Sequence, residues 1–377
     1  MLEIDRIVQA LRAVGNEPSW LATVVAIEGS AYRRPGARLL FSRDGKLAGT
    51  ISGGCLEREV MRIGAWLAQH GPVLRTFDAR RDEDGEGAFR SGCSGKVRLL
   101  IEPVTDAVRE NLSFVTRELA SQRVVAIATV LAVGSSRTRV GEQLVCGSDG
   151  ALSSLADGAL SHELLANLVA LLGAKAPLSV HHRRGSLEAL LEIMEPAPHV
   201  SVFGTGEDAV PVARLAAQLG WHVTVRAKHG GFAARDRFSG VAALELASVP
   251  ESVARLSTYA RALAVVMTHD YAQDRETLAG LLASNVGYIG MLGPARRTQR
   301  MLAELQGERV FAAERLARVY GPAGLHLGAE TPEAIALSIV AELQAVLANA
   351  DAGFLRSRQL GIHEQPQPLR LLTAEGA

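Results

Sequence analysis

Cysteine is scarce in this chain of 377 residues: Cys55, Cys93 and Cys146 are the only three. Three widely spaced thiols make neither a disulfide framework nor a C-x-x-C zinc site. Aromatic residues are few as well, at 5%, so the core has to be built from aliphatic side chains. There is no excess charge of either sign, because 40 Lys+Arg balance 40 Asp+Glu. A chain without a net positive field is a poor candidate for nucleic-acid or membrane-surface binding. No apolar run reaches the length of about 18 residues that a membrane span needs. No signal-peptide pattern is seen, and a reducing, cytoplasmic location is expected. H-E-x-x-H, Walker A, G-x-S-x-G and paired-carboxylate patterns are also missing, which points away from hydrolysis.

What remains is the composition of an ordinary globular chain, 48% hydrophobic and 21% charged. At roughly 100–200 residues per domain, its length implies two domains or three. An internal repeat occupies the N-terminal half. Ala22-Thr23-Val24-Val25-Ala26-Ile27 recurs as Ala128-Thr129-Val130-Leu131-Ala132-Val133. Asp44-Gly45-Lys46-Leu47 then meets Asp149-Gly150-Ala151-Leu152, and Gly53 meets Gly158. Pro72-Val73-Leu74 meets Pro177-Leu178-Ser179, and Ile101-Glu102-Pro103 meets Met194-Glu195-Pro196. The expected unit is strand, loop, strand, hairpin turn, strand, helix and two more strands. By this matching the first copy is longer by about 12 residues, within Arg80 to Lys96. Leu160 takes the place of Cys55, so the second copy keeps an apolar skeleton without the cysteines. A functional half beside a structural half is the expectation.

The pattern changes near Pro196-Ala197-Pro198. Strands at Val200–Phe203, Val223–Val225, Ala264–Met267 and Val286–Gly290 alternate with helices. The helices are expected over Ala209–Leu219, Asp274–Leu282, from Pro294, and from Thr331 to Leu347. Such alternation means a parallel sheet with helices on both faces. The fold class is therefore α/β, with an N-terminal α+β domain built from the imperfect repeat and a C-terminal Rossmann-like, doubly wound sheet. The expected boundaries are 1–196, 197–350 and a loose tail, 351–377.

Several constellations can carry chemistry. Gly204-Thr205-Gly206-Glu207-Asp208-Ala209 follows a strand and opens a helix, as a phosphate-binding turn does. The acidic residue that holds a ribose hydroxyl is missing about 20 residues on, where Arg226-Ala227-Lys228 stands instead. Arg226 and Lys228 could meet a phosphate, as in NADP recognition. In Ser52-Gly53-Gly54-Cys55-Leu56-Glu57, the spacing of Leu56, Val60, Ile63 and Leu67 starts a helix at the thiol. The unpaired amides of a first helical turn favour the thiolate. Gly92-Cys93-Ser94-Gly95 presents a second thiol among small residues, and Cys146 reads as packing. Ser30-Ala31-Tyr32-Arg33-Arg34-Pro35-Gly36 offers two cations to an anion. Thr268-His269-Asp270 ends a strand where Rossmann folds bind ligands, although such a His-Asp pair is commonly structural.

Taken together, these motifs resemble the xanthine dehydrogenase accessory (XdhC/CoxI) family, over about Trp20 to Leu347. Tyr288-Ile289-Gly290-Met291-Leu292-Gly293 and Glu330-Thr331-Pro332-Glu333-Ala334 belong to the same resemblance. It implies a cytoplasmic, self-associating chaperone that binds molybdenum cofactor (molybdopterin or its dinucleotide form), protects it during sulfuration and helps insert it. The partners implied are an apo molybdoenzyme of the xanthine dehydrogenase class and a cysteine desulfurase. The cofactor-binding residues expected are Arg33, Arg34, Gly53, Gly54, Cys55, Glu57 and Cys93, with Gly204, Thr205 and Gly206 in the Rossmann-like half. No catalytic or metal-ligating residue is expected. Ala227 departs from the acidic residue usual in the family, which sets NAD(P) binding in doubt. An NAD(P)-dependent oxidoreductase with its substrate between the domains is the alternative, and a regulatory nucleotide-binding module is a third.

Overall fold

The computed structural model describes residues 3–29, 32–78, 95–134, 137–148, 150–173, 179–227 and 236–357. The chain divides into two compact units, one running to Glu195 and the other spanning Pro196–Ser357.

The first unit is a duplication. Its first copy comprises α1 (Glu3–Val14), β1 (Ser19–Glu28), β2 (Arg38–Ser42), β3 (Gly45–Gly49), α2 (Cys55–Leu67), β4 (Val73–Asp78) and β5 (Lys96–Pro103). The second comprises α3 (Asp106–Ala120), β6 (Val125–Ala132), β7 (Gln143–Gly147), β8 (Gly150–Ser153), α4 (Gly158–Gly173), β9 (Ser179–Arg184) and β10 (Leu187–Met194). The two sheets share one topology, β3-β2-β1-β5-β4 and β8-β7-β6-β10-β9, with antiparallel neighbours. The leading helix of each copy is an addition to the unit read from the sequence.

Alternation along the strands explains the layering. In β1, Trp20, Ala22 and Val24 pack with Leu56 and Val60 of α2. The residues between them turn the other way, where Val25 and Leu100 meet Leu131 and Leu190 of the second sheet. In β6, Ala126, Ala128 and Val130 pack with Leu164 and Leu168 of α4. The two sheets thus lie face to face, each with its own helix outside. Helices α1 and α3 close the inter-sheet core through Ile7, Leu11, Leu112 and Val115.

Strand pairing corrects the alignment of the copies. A bulge opposite Leu40 and Phe41 in the β2–β3 ladder is absent from β7–β8. The copies therefore slip by one residue before the helix. Ile51 and Leu56 match Leu155 and Leu160, which pack in the corresponding cores. Gly53 then matches Asp157, and Cys55 matches Ala159 rather than Leu160. Ladder partners of β1 and β6 further place Glu102 against Glu192, not Glu195. The added segment is also longer than the matching implied. Residues 79–95 join β4 to β5, whereas Gly185-Ser186 alone joins β9 to β10.

The second unit has six parallel strands in the order β13-β12-β11-β14-β15-β16. They are β11 (His199–Phe203), β12 (His222–Ala227), β13 (Ala243–Leu246), β14 (Ala262–Val266), β15 (Tyr288–Met291) and β16 (Val319–Tyr320). Helices α5 (Ala209–Gln218) and α10 (Pro332–Leu347) cover one face through Val212, Ala216, Ile339 and Leu343. Helices α6 (Val249–Leu256), α7 (Tyr271–Ala283) and α8 (Ala295–Glu308) cover the other through Leu256, Leu278, Leu281 and Met301. A four-residue helix, α9 (Ala313–Leu316), precedes β16. Thr331 caps α10 by accepting from the Ala334 amide at 3.2 Å. The Rossmann-like sheet expected from alternation is present; β13, β16 and α6 were not foreseen.

Glu102 is the outlier of the inter-sheet core. It is 2% exposed, and its Oε1 has no hydrogen-bond partner. Burial pushes its carboxyl from 4.5 up to about 8, with Arg38 opposing. The folded chain keeps this proton where the unfolded chain gives it up, so stability should fall as pH rises from 4.5 towards about 8. Denaturant titrations across that window should show a slope approaching about 1 kcal/mol per pH unit. In Glu102→Gln that slope should be lost.

Candidate functional site

The loop before α2 is built around one carboxylate. Glu57 accepts from Thr50 Oγ1 at 2.5 Å, from the Ile51 and Ser52 amides at 3.1 and 2.7 Å, and from the Gly54 amide at 2.9 Å. The Ser52 hydroxyl donates to it too. Burial alone would raise this carboxyl, but the Ser52 and Thr50 hydroxyls and the Ser52 amide overcome that and hold it at about 2. Only glycine serves at Gly54, whose φ is 121°. Side chains at Gly53 and Gly54 would meet nothing within 4 Å. Glu57, expected among the cofactor-binding residues, turns its carboxylate onto the hydroxyls and amides of its own loop and shapes it.

The second copy is an internal comparison. There Asp157 Oδ1 accepts from the Ala159 and Leu160 amides at 3.0 and 3.2 Å, an ordinary N-cap. The matching residue before α2 is Gly53, and no side chain caps α2 from Gly54. One copy caps its helix from the Asp157 side chain; the other has Gly53 at that position and turns the Glu57 carboxylate back onto the Gly54 amide. Helix α1 then joins the two loops singled out by sequence. Glu3 forms an ion pair with Arg33 and accepts from the Thr50 amide at 3.1 Å. Arg33 and the Thr50 amide, three residues before Gly53, are thereby held by one carboxylate. Arg34 and Tyr32 are exposed in the same turn. Cys93 and Lys228 lie outside the described residues, and so does the side chain of Cys55. Cys146 is buried in β7, and burial raises its thiol, in keeping with packing.

In the second unit, Gly204 has φ 133°, and a Cβ there would come 2.3 Å from the Met267 carbonyl. The turn is thus pressed against the end of β14. Asp208 and Glu207 flank it. Asp208 Oδ2 meets His269 Nε2 at 2.9 Å, and Arg237 pairs with Glu207 and donates to the Thr205 carbonyl at 3.0 Å. Asp270 does not pair with His269; it caps α7 on the Gln273 amide at 2.7 Å. The NADP-like reading of Arg226 is overturned. Arg226 is buried, donating to Ser201 Oγ at 2.9 Å and to Glu245 at 2.5 Å. Ala227 ends β12, so among the described residues no carboxylate stands there to hold a ribose. The Asp208 carboxylate also lies over the turn, 2.5 Å from where a Cβ on Gly206 would be. These residues do not fit NAD bound in the usual way.

The comparisons decide the family. Residues 14–78 match the XdhC and CoxI family, and residues 200–343 match the XdhC Rossmann domain. A Bacillus subtilis protein described as a probable xanthine dehydrogenase subunit is 32% identical over 328 residues, 87% of this chain and 92% of that protein. The chain belongs to the XdhC and CoxI family. A crystal structure described as a xanthine dehydrogenase from Bacillus halodurans superposes with a TM-score of 0.73 at 26% identity, covering 95% of this chain and 98% of that one. An uncharacterized Escherichia coli protein, YqeB, is 25% identical over 245 residues, 61% of this chain and 45% of that protein.

Within this XdhC and CoxI family chain, Glu3 and Thr50 belong to the candidate site and were missed by sequence reading. Glu3 gave only the signal of an acidic residue in a first helical turn. The Glu57 carboxyl is held below its unfolded value of 4.5, at about 2, so its stabilisation is complete above pH 4.5 and lost as pH falls towards 2. Glu57→Gln should be less stable than the parent by roughly 1–3 kcal/mol near neutrality. The two should converge in acid, as read by urea unfolding at several pH values.

Proposed function

We propose that this chain carries molybdenum cofactor as cargo and serves the maturation of a xanthine dehydrogenase-type enzyme. The observation that carries the reading is the contrast between the two helix starts. Asp157 caps α4, whereas Gly53 puts no side chain at the matching place before α2, where Glu57 takes the Gly54 amide and Glu3 links Thr50 to Arg33. The cargo is a pterin dithiolene that ends in a phosphate. Amides of a first helical turn together with guanidinium groups are a fitting receptor for that phosphate. Cys55 is the first residue of α2, and a thiolate there suits a thiophilic molybdenum centre or a sulfur handed on by a cysteine desulfurase. The xanthine dehydrogenase descriptions of the relatives support the class of apo-enzyme served.

A single substitution copies the second repeat into the first. Gly53→Asp should add a cap to α2 and stabilise the chain by at most a few tenths of a kcal/mol. The added carboxylate should also compete with the cargo phosphate and weaken cofactor binding ten-fold or more. Binding is read from the fluorescent oxidised pterin that stays with the protein, and the released ligand is identified by mass spectrometry. A stabilised Gly53→Asp chain that binds as well as the parent would place the phosphate elsewhere. A parent chain that takes up no pterin at all would reject the function.

A further inference from the structure

Glu192 lies in the second repeat, far in sequence from both candidate loops, yet its carboxylate grips the first repeat. Oε2 meets Arg38 at 2.8 Å, and Oε1 is 2.5 Å from where a Cβ on Gly36 would be. Arg38 itself donates to the Gly36 carbonyl at 2.7 Å. The Gly36 amide donates to the Val24 carbonyl at 2.8 Å, and the Ala37 amide to the Arg34 carbonyl at 3.2 Å. The turn that carries Arg33 and Arg34 is therefore pinned at its C-terminal end by strand β1 and by a buried ion pair. The Arg38 and Glu192 side chains are only 7% and 4% exposed.

Burying two charges is costly, and an apolar pair of similar volume often gives equal or greater stability. The duplication shows that the fold itself does not demand the pair. The ladders place Gln143 where Arg38 stands and Glu102 where Glu192 stands. No ion pair forms between them. Gln143 accepts from Asn111 Nδ2 at 3.1 Å, and Glu102 Oε1 has no hydrogen-bond partner. Glu102 Oε2 lies 3.8 Å from a Cβ position on Gly141, where Pro72 is nearer, so the approach to the matching glycine turn is looser and lacks the cation. The clamp is complete only around the turn with adjacent arginines.

We infer that Glu192 is a positioning residue: through Arg38 and Gly36 it fixes the turn that holds Arg33 and Arg34 at the cargo phosphate. The inference rests on the cargo reading above and assigns a role in it to the second repeat. The test uses the full chain with both charges removed together, Arg38→Met with Glu192→Leu. That variant should unfold within a few degrees of the parent while its affinity for molybdenum cofactor drops ten-fold or more. A folded double variant that binds within two-fold of the parent would overturn the assignment. If the double variant does not fold, Glu192→Gln is compared with Glu118→Gln, which disturbs the Glu118–Arg123 pair outside the turn. Loss of affinity confined to Glu192→Gln is expected, and equal loss in both would overturn it. If the parent binds no cofactor, the function fails first. Positioning is then read from hydrogen exchange at Gly36 and Ala37, which should quicken at least ten-fold in whichever Glu192 variant folds; unchanged exchange would refute it.

Discussion

A five-stranded sheet that is apolar on both faces has to be covered twice. Strand β1 is buried along Ser19–Val25 on both of its faces. Helix α2 covers one face, and α1 covers only part of the other. The second repeat supplies the rest with an equivalent sheet, so the two copies are mutually required. Everything caught between the sheets is removed from water. That is why Arg38 needs Glu192 and why Glu102, with no cation at hydrogen-bond distance, keeps its proton at neutral pH.

The copies diverge where covering no longer dictates the residue. The helix starts lie at the edge, and there Asp157 caps one while Gly53 and the turned-back Glu57 stand at the other. The strand-linking segments diverge as well, a two-residue turn in one copy and residues 79–95 in the other. Skeleton residues such as Ile51 and Leu56 keep apolar partners in Leu155 and Leu160 because each must still seat a helix on a sheet. Packing is thus kept between the copies by physical need, and the departures lie at the helix starts and the linking segments.

The second unit uses another solution to the same problem, a parallel sheet sandwiched by helices. Its Gly204 turn has the close backbone approach of a nucleotide-binding loop, but its neighbours are acidic. Glu207 and Asp208 are engaged by Arg237 and His269. A phosphate-rich ligand there would have to displace or outweigh those carboxylates. The same shape as a dinucleotide site therefore does not carry the same chemistry.

Hydrophobic spacing determined a good deal from the sequence alone. Period-two runs and glycine punctuation marked the duplication, the parallel sheet and the start of α2, because these depend on local alternation and on backbone freedom at Gly54. Matching strings could not place a bulge, since a bulge is a property of two paired strands; Cys55 was consequently set against Leu160 instead of Ala159. The same holds for Arg226. At the end of a strand it reads as a cation for a phosphate, and only the neighbouring strands, bringing Ser201 and Glu245, turn it inward. Glu3, Glu192 and Thr50 were invisible for that reason too: an acidic or hydroxyl side chain has no pattern of its own. Its role is set by which distant backbone amide or guanidinium the tertiary structure brings within hydrogen-bond reach.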